Sequence, residues 1–174
     1  MLRDTRRVPH AEYVSLAMSH RFCLVAPGDF VSTHKITEAM AIGGAGGCIP
    51  VFVITTNAPL PINTARDVAT LLPYTRWLDY CTVGYFVRSV TAAANFSAVL
   101  ERLQAVSAAE AESKLERLRG VHSAFIFRHG STEARPSAPE LIMAEACATS
   151  AHLATSGSTA PPLATNDVDR CTLG

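Results

Sequence analysis

Apolar residues concentrate in two short continuous runs, "FCLVAP" at 22–27 and "CIPVFVI" at 48–54, separated by a stretch of glycine, hydroxyl and charged residues. Continuous rather than alternating apolar runs of this length mark strands covered on both faces, as in a parallel sheet. Between them, Pro27, Gly28 and Asp29 carry turn chemistry. Ser32 is placed to cap a helix bearing Ile36, Ala39 and Met40, which the glycines at 43–47 would end. Strand, turn, helix and strand in this space form a βαβ unit, expected to have a right-handed crossover.

Periodicity extends the picture in both directions. Pro9 suits the first turn of a helix that places Tyr13, Leu16 and Ala17 on one face and stops near Ser19 and His20. Residues 57–73, with Pro59, Pro61 and Pro73, form an irregular connection, and 81–87 supply a third strand. Phe96, Val99, Leu100 and Leu103 share a face of a helix predicted over 91–106. Ser107 with Glu110 has the capping-box spacing and opens a charged helix that runs to Phe125, with Leu115, Leu118, Val121 and Phe125 as its apolar face. The charged residues from Glu110 to Arg119 are expected to face solvent. A last helix is predicted over 136–153, and the small, polar segment 154–174 is expected to be disordered. The fold class is α/β, a Rossmann-like parallel sheet flanked by helices. Roughly three strands make a thin sheet for a freestanding domain, so the chain is expected to work as part of something larger.

Composition narrows the classes of function. The formal charge is zero over 174 residues and 48% are apolar, which suits a globular core and argues against a nucleic-acid footprint. No apolar run approaches the length of a membrane span. The basic start lacks an apolar core segment, so no secretory signal is expected within the chain. Five cysteines stand far apart with no C-x-x-C pair, which argues against metal ligation, and their odd number argues against a simple disulfide framework. Cys23 and Cys48 are expected to be free, buried small hydrophobes.

The candidate chemistry lies in the polar insert. A helix that starts directly after a parallel strand presents unpaired N–H groups, and its dipole favours an anion. Gly28 permits close backbone approach, Ser32 and Thr33 offer hydroxyl donors, and Lys35 offers a mobile positive charge. Glu38 follows within a turn, where a carboxylate can take paired hydrogen bonds from a ribose diol. Neither G-x-x-x-x-G-K-[ST] nor G-x-G-x-x-G is present, which disfavours a P-loop and a standard dinucleotide site. The same residues also admit a purely structural account: Ser32 caps, Lys35 and Glu38 form an exposed pair one turn apart, and the glycines stop the helix. His34 and Asp29 are weaker candidates for a general base. Trp77 and Tyr80 could stack on a base or sugar, although core packing is the commoner fate of such residues. Asn95, Phe96 and Ser97 fit the N-glycosylation acceptor pattern, but within a predicted helix and with meaning only in the secretory lumen.

The segments "FCLVAPGD", "STHKITEA" and "GCIPV", in that order, together with the Trp77-containing "YTRWLDYCTVGYFV", resemble the nucleotide-sugar-binding half of exostosin-like glycosyltransferases. The similarity spans roughly residues 11–127, and the donor-binding lobe is placed over 9–128. It implies the carboxyl-terminal half of a GT-B enzyme, two Rossmann-like lobes facing a cleft. It also implies a nucleotide-sugar donor, most commonly a UDP-sugar, held by Gly28, Ser32, Thr33, Lys35 and Glu38, and a glycan or glycoprotein acceptor. No metal or other cofactor is implied, and the catalytic residues are not assigned. The family's setting is the Golgi and secretory pathway. Two departures stand out: Lys35 occupies a position where the family often has Arg, and "AIGGAGGC" lengthens the connection before Cys48. The acceptor-binding amino-terminal lobe is missing from this stretch, so a partner lobe or chain is expected. The alternative is a noncatalytic nucleotide- or carbohydrate-binding or interaction module.

Overall fold

Among the described residues, four strands run parallel in the order β1-β2-β3-β4. The computed structural model describes residues 8–26, 34–54, 72–127, 136–156 and 168–173. Helix α1 (His10–Ser19) precedes β1 (Phe22–Val25); α2 (His34–Gly44) leads to β2 (Ile49–Ile54); β3 is Tyr85–Arg88. Then come α3 (Ser89–Ala94), α4 (Phe96–Gln104), α5 (Ala108–Val121), α6 (Ala138–Ser156) and β4 (Thr172–Leu173). Short 3₁₀ turns occupy Tyr80–Thr82, His122–Phe125 and Val168–Cys171. The expected α/β class with a parallel, helix-flanked sheet is therefore present.

Register explains why the second apolar run is unbroken. Cys23 pairs with Pro50, Phe52 with Phe86 and Val87 with Leu173, so β2 is internal and covered on both sides. Val25, Phe52, Ile54 and Phe86 pack with Ile36 and Met40 of α2, Leu118 of α5 and Phe125. On the opposite face Ile49, Val51, Tyr85, Val87 and Leu173 pack with Val99 and Leu103 of α4 and Ala111 of α5. Successive strand residues alternate between these two cores, as the two-residue period requires.

The glycine cluster is more specific than a helix stop. Gly44 sits inside the last turn of α2, where an added Cβ would run into the His122 side chain and come 3.0 Å from the Leu118 carbonyl. Gly46 alone adopts the left-handed conformation, at φ 91°, and its N–H donates to the Gly43 carbonyl. The cluster thus lets α2 press against α5 before the chain turns into β2.

Five expectations need correction. The first apolar run is not covered on both faces, because β1 is an outer strand and Leu24 is exposed. The helix predicted over 91–106 breaks at Asn95, whose extended backbone (φ −154°, ψ 80°) separates α3 from α4 while its side chain accepts the Ala98 N–H. The charged face of α5 is not wholly solvated, because Lys114 is buried. Within the segment expected to be disordered, residues 168–173 form a 3₁₀ turn and the fourth strand. Finally, Cys23 and Cys48 are not free thiols but a disulfide, and Cys81 is bonded to Cys171, with Cα separations of 5.4 and 5.5 Å. Parallel pairing of β1 with β2 sets Cys48 diagonally opposite Cys23. The return of the chain as β4 brings Cys171 to Cys81. Cys147, exposed on α6, is the unpaired fifth.

Candidate functional site

Helix α2 begins on the carboxyl side of β1, so its amino terminus and the positive end of its dipole face the edge at which the parallel strands end. Of the five residues expected to hold a sugar nucleotide, Gly28, Ser32 and Thr33 lie outside the described residues, as does Asp29. Lys35 and Glu38 are brought together: Nζ of Lys35 stands 3.2 Å from Oε2 of Glu38, both side chains partly exposed. Lys35 Nζ also lies 4.9 Å from the centre of the Tyr13 ring on α1. An exposed pair of this kind adds only about 0.2–0.5 kcal/mol to a helix. Its arrangement is the one a purely structural account expects, and it also sets a cation and a carboxylate side by side on the first turns of α2. His34 is exposed at the first position of that helix.

Beside this turn lies a cavity of about 340 Å³ lined by Thr37, Tyr74, Phe125, Phe127, Ile142 and Glu145, among others. Thr37 belongs to the first turn of α2, so the cavity and the helix terminus share one element. Tyr74 helps form its wall from a strained backbone, φ 62°, a conformation that costs a bulky residue about 1–3 kcal/mol. The strain is held by a hydrogen bond from the Tyr74 hydroxyl to the Ala124 carbonyl (2.8 Å) and by edge-on packing against Phe125. Burial, with help from Glu145, raises the Tyr74 pKa, so the hydroxyl stays protonated and donating. A second cavity of about 280 Å³ lies between Trp77, Val121, Pro136 and Leu141. Lys35 and Glu38 line neither of these two cavities.

The aromatic candidates separate. Trp77 is exposed and stacks obliquely on Tyr74, centroids 5.2 Å apart. Tyr80 is fully buried, edge-on to Phe52, with its hydroxyl donating to the Pro73 carbonyl, and is therefore a core residue. Arg76, which periodicity did not single out, has one guanidinium nitrogen buried without a hydrogen-bond partner. A buried donor left unpaired is costly, and an anion would satisfy it. Among the described residues no group of His, Cys, Asp and Glu is arranged to hold a metal ion, and no helix is long and apolar enough to cross a membrane.

Fold and site together define an α/β domain with an all-parallel, four-stranded sheet, a helix terminus at its carboxyl edge and an aromatic cavity beside that terminus. No family model, no curated protein and no solved structure matches the chain.

Proposed function

We propose that the chain is the donor-binding lobe of an exostosin-type, GT-B glycosyltransferase, which takes a nucleotide sugar of the UDP-sugar class for transfer to a glycan or glycoprotein acceptor. The observation that carries this reading is the start of α2 at the carboxyl end of β1 in an all-parallel sheet, with Lys35 and Glu38 on its opening turns. There the helix N–H groups, the Gly28 backbone, the Ser32 and Thr33 hydroxyls and Lys35 would meet the diphosphate, and Glu38 the ribose diol. The aromatic cavity beside Thr37 has the volume and lining that suit the planar base, and its about 340 Å³ lies within the usual range of ligand sites. Arg76, with one buried guanidinium nitrogen unpartnered, is the second cation that this reading assigns to the diphosphate.

Transfer in such an enzyme is displacement at the anomeric carbon: a base takes the acceptor hydroxyl proton while positive groups stabilise the departing diphosphate. An amino-terminal lobe or partner chain would present the acceptor, and without it positioning of the second reactant is lost. The two disulfides support a secretory-pathway setting, because such bonds persist in oxidising compartments.

A noncatalytic module is the competing reading. It is favoured by the sheet order, which contains no reversal and so no switch-point crevice among the described strands, and by Leu24, 56% exposed on the outer strand β1. Calorimetric titration with UDP and a panel of UDP-sugars tests the donor reading. Binding should be detectable and should weaken at least several-fold in Lys35→Ala, Glu38→Ala and Arg76→Met. Equal affinity in all three variants would remove these residues from the site, and no binding by the parent chain would remove the function.

A further inference from the structure

We infer that Asn95 is an N-linked glycosylation site. The sequence contains a single Asn-x-Ser/Thr acceptor triplet with x other than Pro, Asn95-Phe96-Ser97. The sequence pattern places it inside a helix, where the acceptor amide would be held against its own turn. The structure places it elsewhere. Asn95 is exposed at the break between α3 and α4, with extended backbone angles, and Phe96 and Ser97 are exposed after it. The carboxamide oxygen accepts the Ala98 N–H at 3.1 Å and so caps α4. The nitrogen, which is the atom that carries a glycan, has no hydrogen bond to any described residue. Capping thus uses one end of the side chain and presents the other to solvent.

Compartment is the second requirement, and the two disulfides support it independently of the sugar-nucleotide proposal. Cys23–Cys48 and Cys81–Cys171 need an oxidising lumen to form and persist, and that is where oligosaccharide transfer to asparagine takes place. The surface around Asn95 supplies a third argument. Val90 on α3, and Phe96 and Leu100 on α4, are 56%, 45% and 43% exposed, an unusual run of large apolar groups at one helix junction. A branched, hydrated glycan rooted between them would shield that surface. The bond formed is Nδ2 of Asn95 to the anomeric carbon of an oligosaccharide carried on a lipid diphosphate. The bond broken joins that carbon to the diphosphate oxygen; the lipid diphosphate leaves, and the amide proton passes to a base of the host transferase.

The test routes the full chain, behind an added leader, into the endoplasmic reticulum of cultured cells. The parent chain should migrate heavier by one oligosaccharide, and peptide N-glycosidase should remove it and convert the Asn95 carboxamide to a carboxylate. Asn95→Asp keeps the capping oxygen and lacks the acceptor nitrogen, and Ser97→Ala keeps Asn95 and breaks the triplet. Neither variant should carry the glycan. Transfer reaches the triplet as the chain enters the lumen, and the exposed junction lets the folded chain keep the glycan without displacing a packed group. A lumenal parent chain without glycan overturns the inference, as does a glycan that survives both substitutions.

Discussion

Lys114 carries its charge into the interior and is held there by three neighbours. Its Nζ donates to the carbonyls of Cys81 (2.5 Å) and Gly84 (3.2 Å) and sits 4.3 Å from the centre of the Tyr85 ring. Burial lowers its pKa, opposed by the Glu110 carboxylate, which in turn accepts the Tyr85 hydroxyl. The ammonium therefore bridges the 3₁₀ turn Tyr80–Thr82 and the residue that precedes β3. Lys114→Met fills the volume and removes the donor. The expected loss is about 1–3 kcal/mol in urea unfolding, the penalty for unpaired buried carbonyls. A variant as stable as the parent would show that those carbonyls find other donors. Sequence pattern could not disclose this lysine, because the surrounding "EAESKLER" is indistinguishable from a solvated helix face. Its burial depends on where β3 begins, which is a tertiary fact.

Elements were legible where local chemistry decides them and illegible where two partners compete for one group. Ser107 does cap α5, accepting the Glu110 N–H at 3.1 Å, yet the Glu110 carboxylate goes to Tyr85 instead of closing the box. The other half of the box is at Ser137 and Glu140, where Oε2 accepts both the Ser137 N–H (2.5 Å) and its hydroxyl (2.6 Å) at the start of α6. The same Ser-x-x-Glu spacing was available there in the sequence, hidden by the Pro136 break before it. The cap at Asn95 was likewise masked, since Phe96, Val99, Leu100 and Leu103 keep helical spacing across it. Both bonds lower the Glu140 pKa, the side-chain one more. A depressed carboxyl stabilises the folded helix above its ordinary value of 4.5 and loses that contribution as pH falls through the folded value. Amide protection at the first turn of α6, measured against the intrinsic exchange rate at each pH, should therefore fall on acidification below that range. Glu140→Gln should already exchange faster at neutral pH and show a flatter acid response. Identical profiles for both chains would mean that the box does not hold the turn.

At the scale of the molecule, the closing segment decides what the sheet is. Residues 168–173 add the outer strand to β3, and Thr172 and Leu173 pair with Phe86 and Val87. So short a strand needs other restraints. It has an ion pair from Arg170 to Asp79, another from Arg88 to Asp169 (3.3 Å), and the Cys81–Cys171 bond across a separation of 90 residues. Exposed ion pairs contribute little, so the covalent link dominates. Closing a loop that long is worth about 2–4 kcal/mol by its effect on the unfolded chain. An odd cysteine count and a small, polar tail concealed this arrangement, because pairing depends on which strands become neighbours and not on spacing along the chain. The α/β class and the parallel strands around the polar insert were legible from the two apolar runs, although only β2 is buried on both faces and β1, at the edge, leaves Leu24 exposed. The chain folded under oxidising conditions should accordingly expose one alkylatable thiol, Cys147, of its five cysteines. Reduction should release the other four and lower stability by about 2–4 kcal/mol per bridge. Cys171→Ser should free Cys81 to alkylation and make the Phe86 and Val87 amides exchange faster, while leaving the Cys23–Cys48 bond intact. Five reactive thiols in the unreduced, folded chain would show that neither bridge forms, and with them would go the covalent anchor of β4.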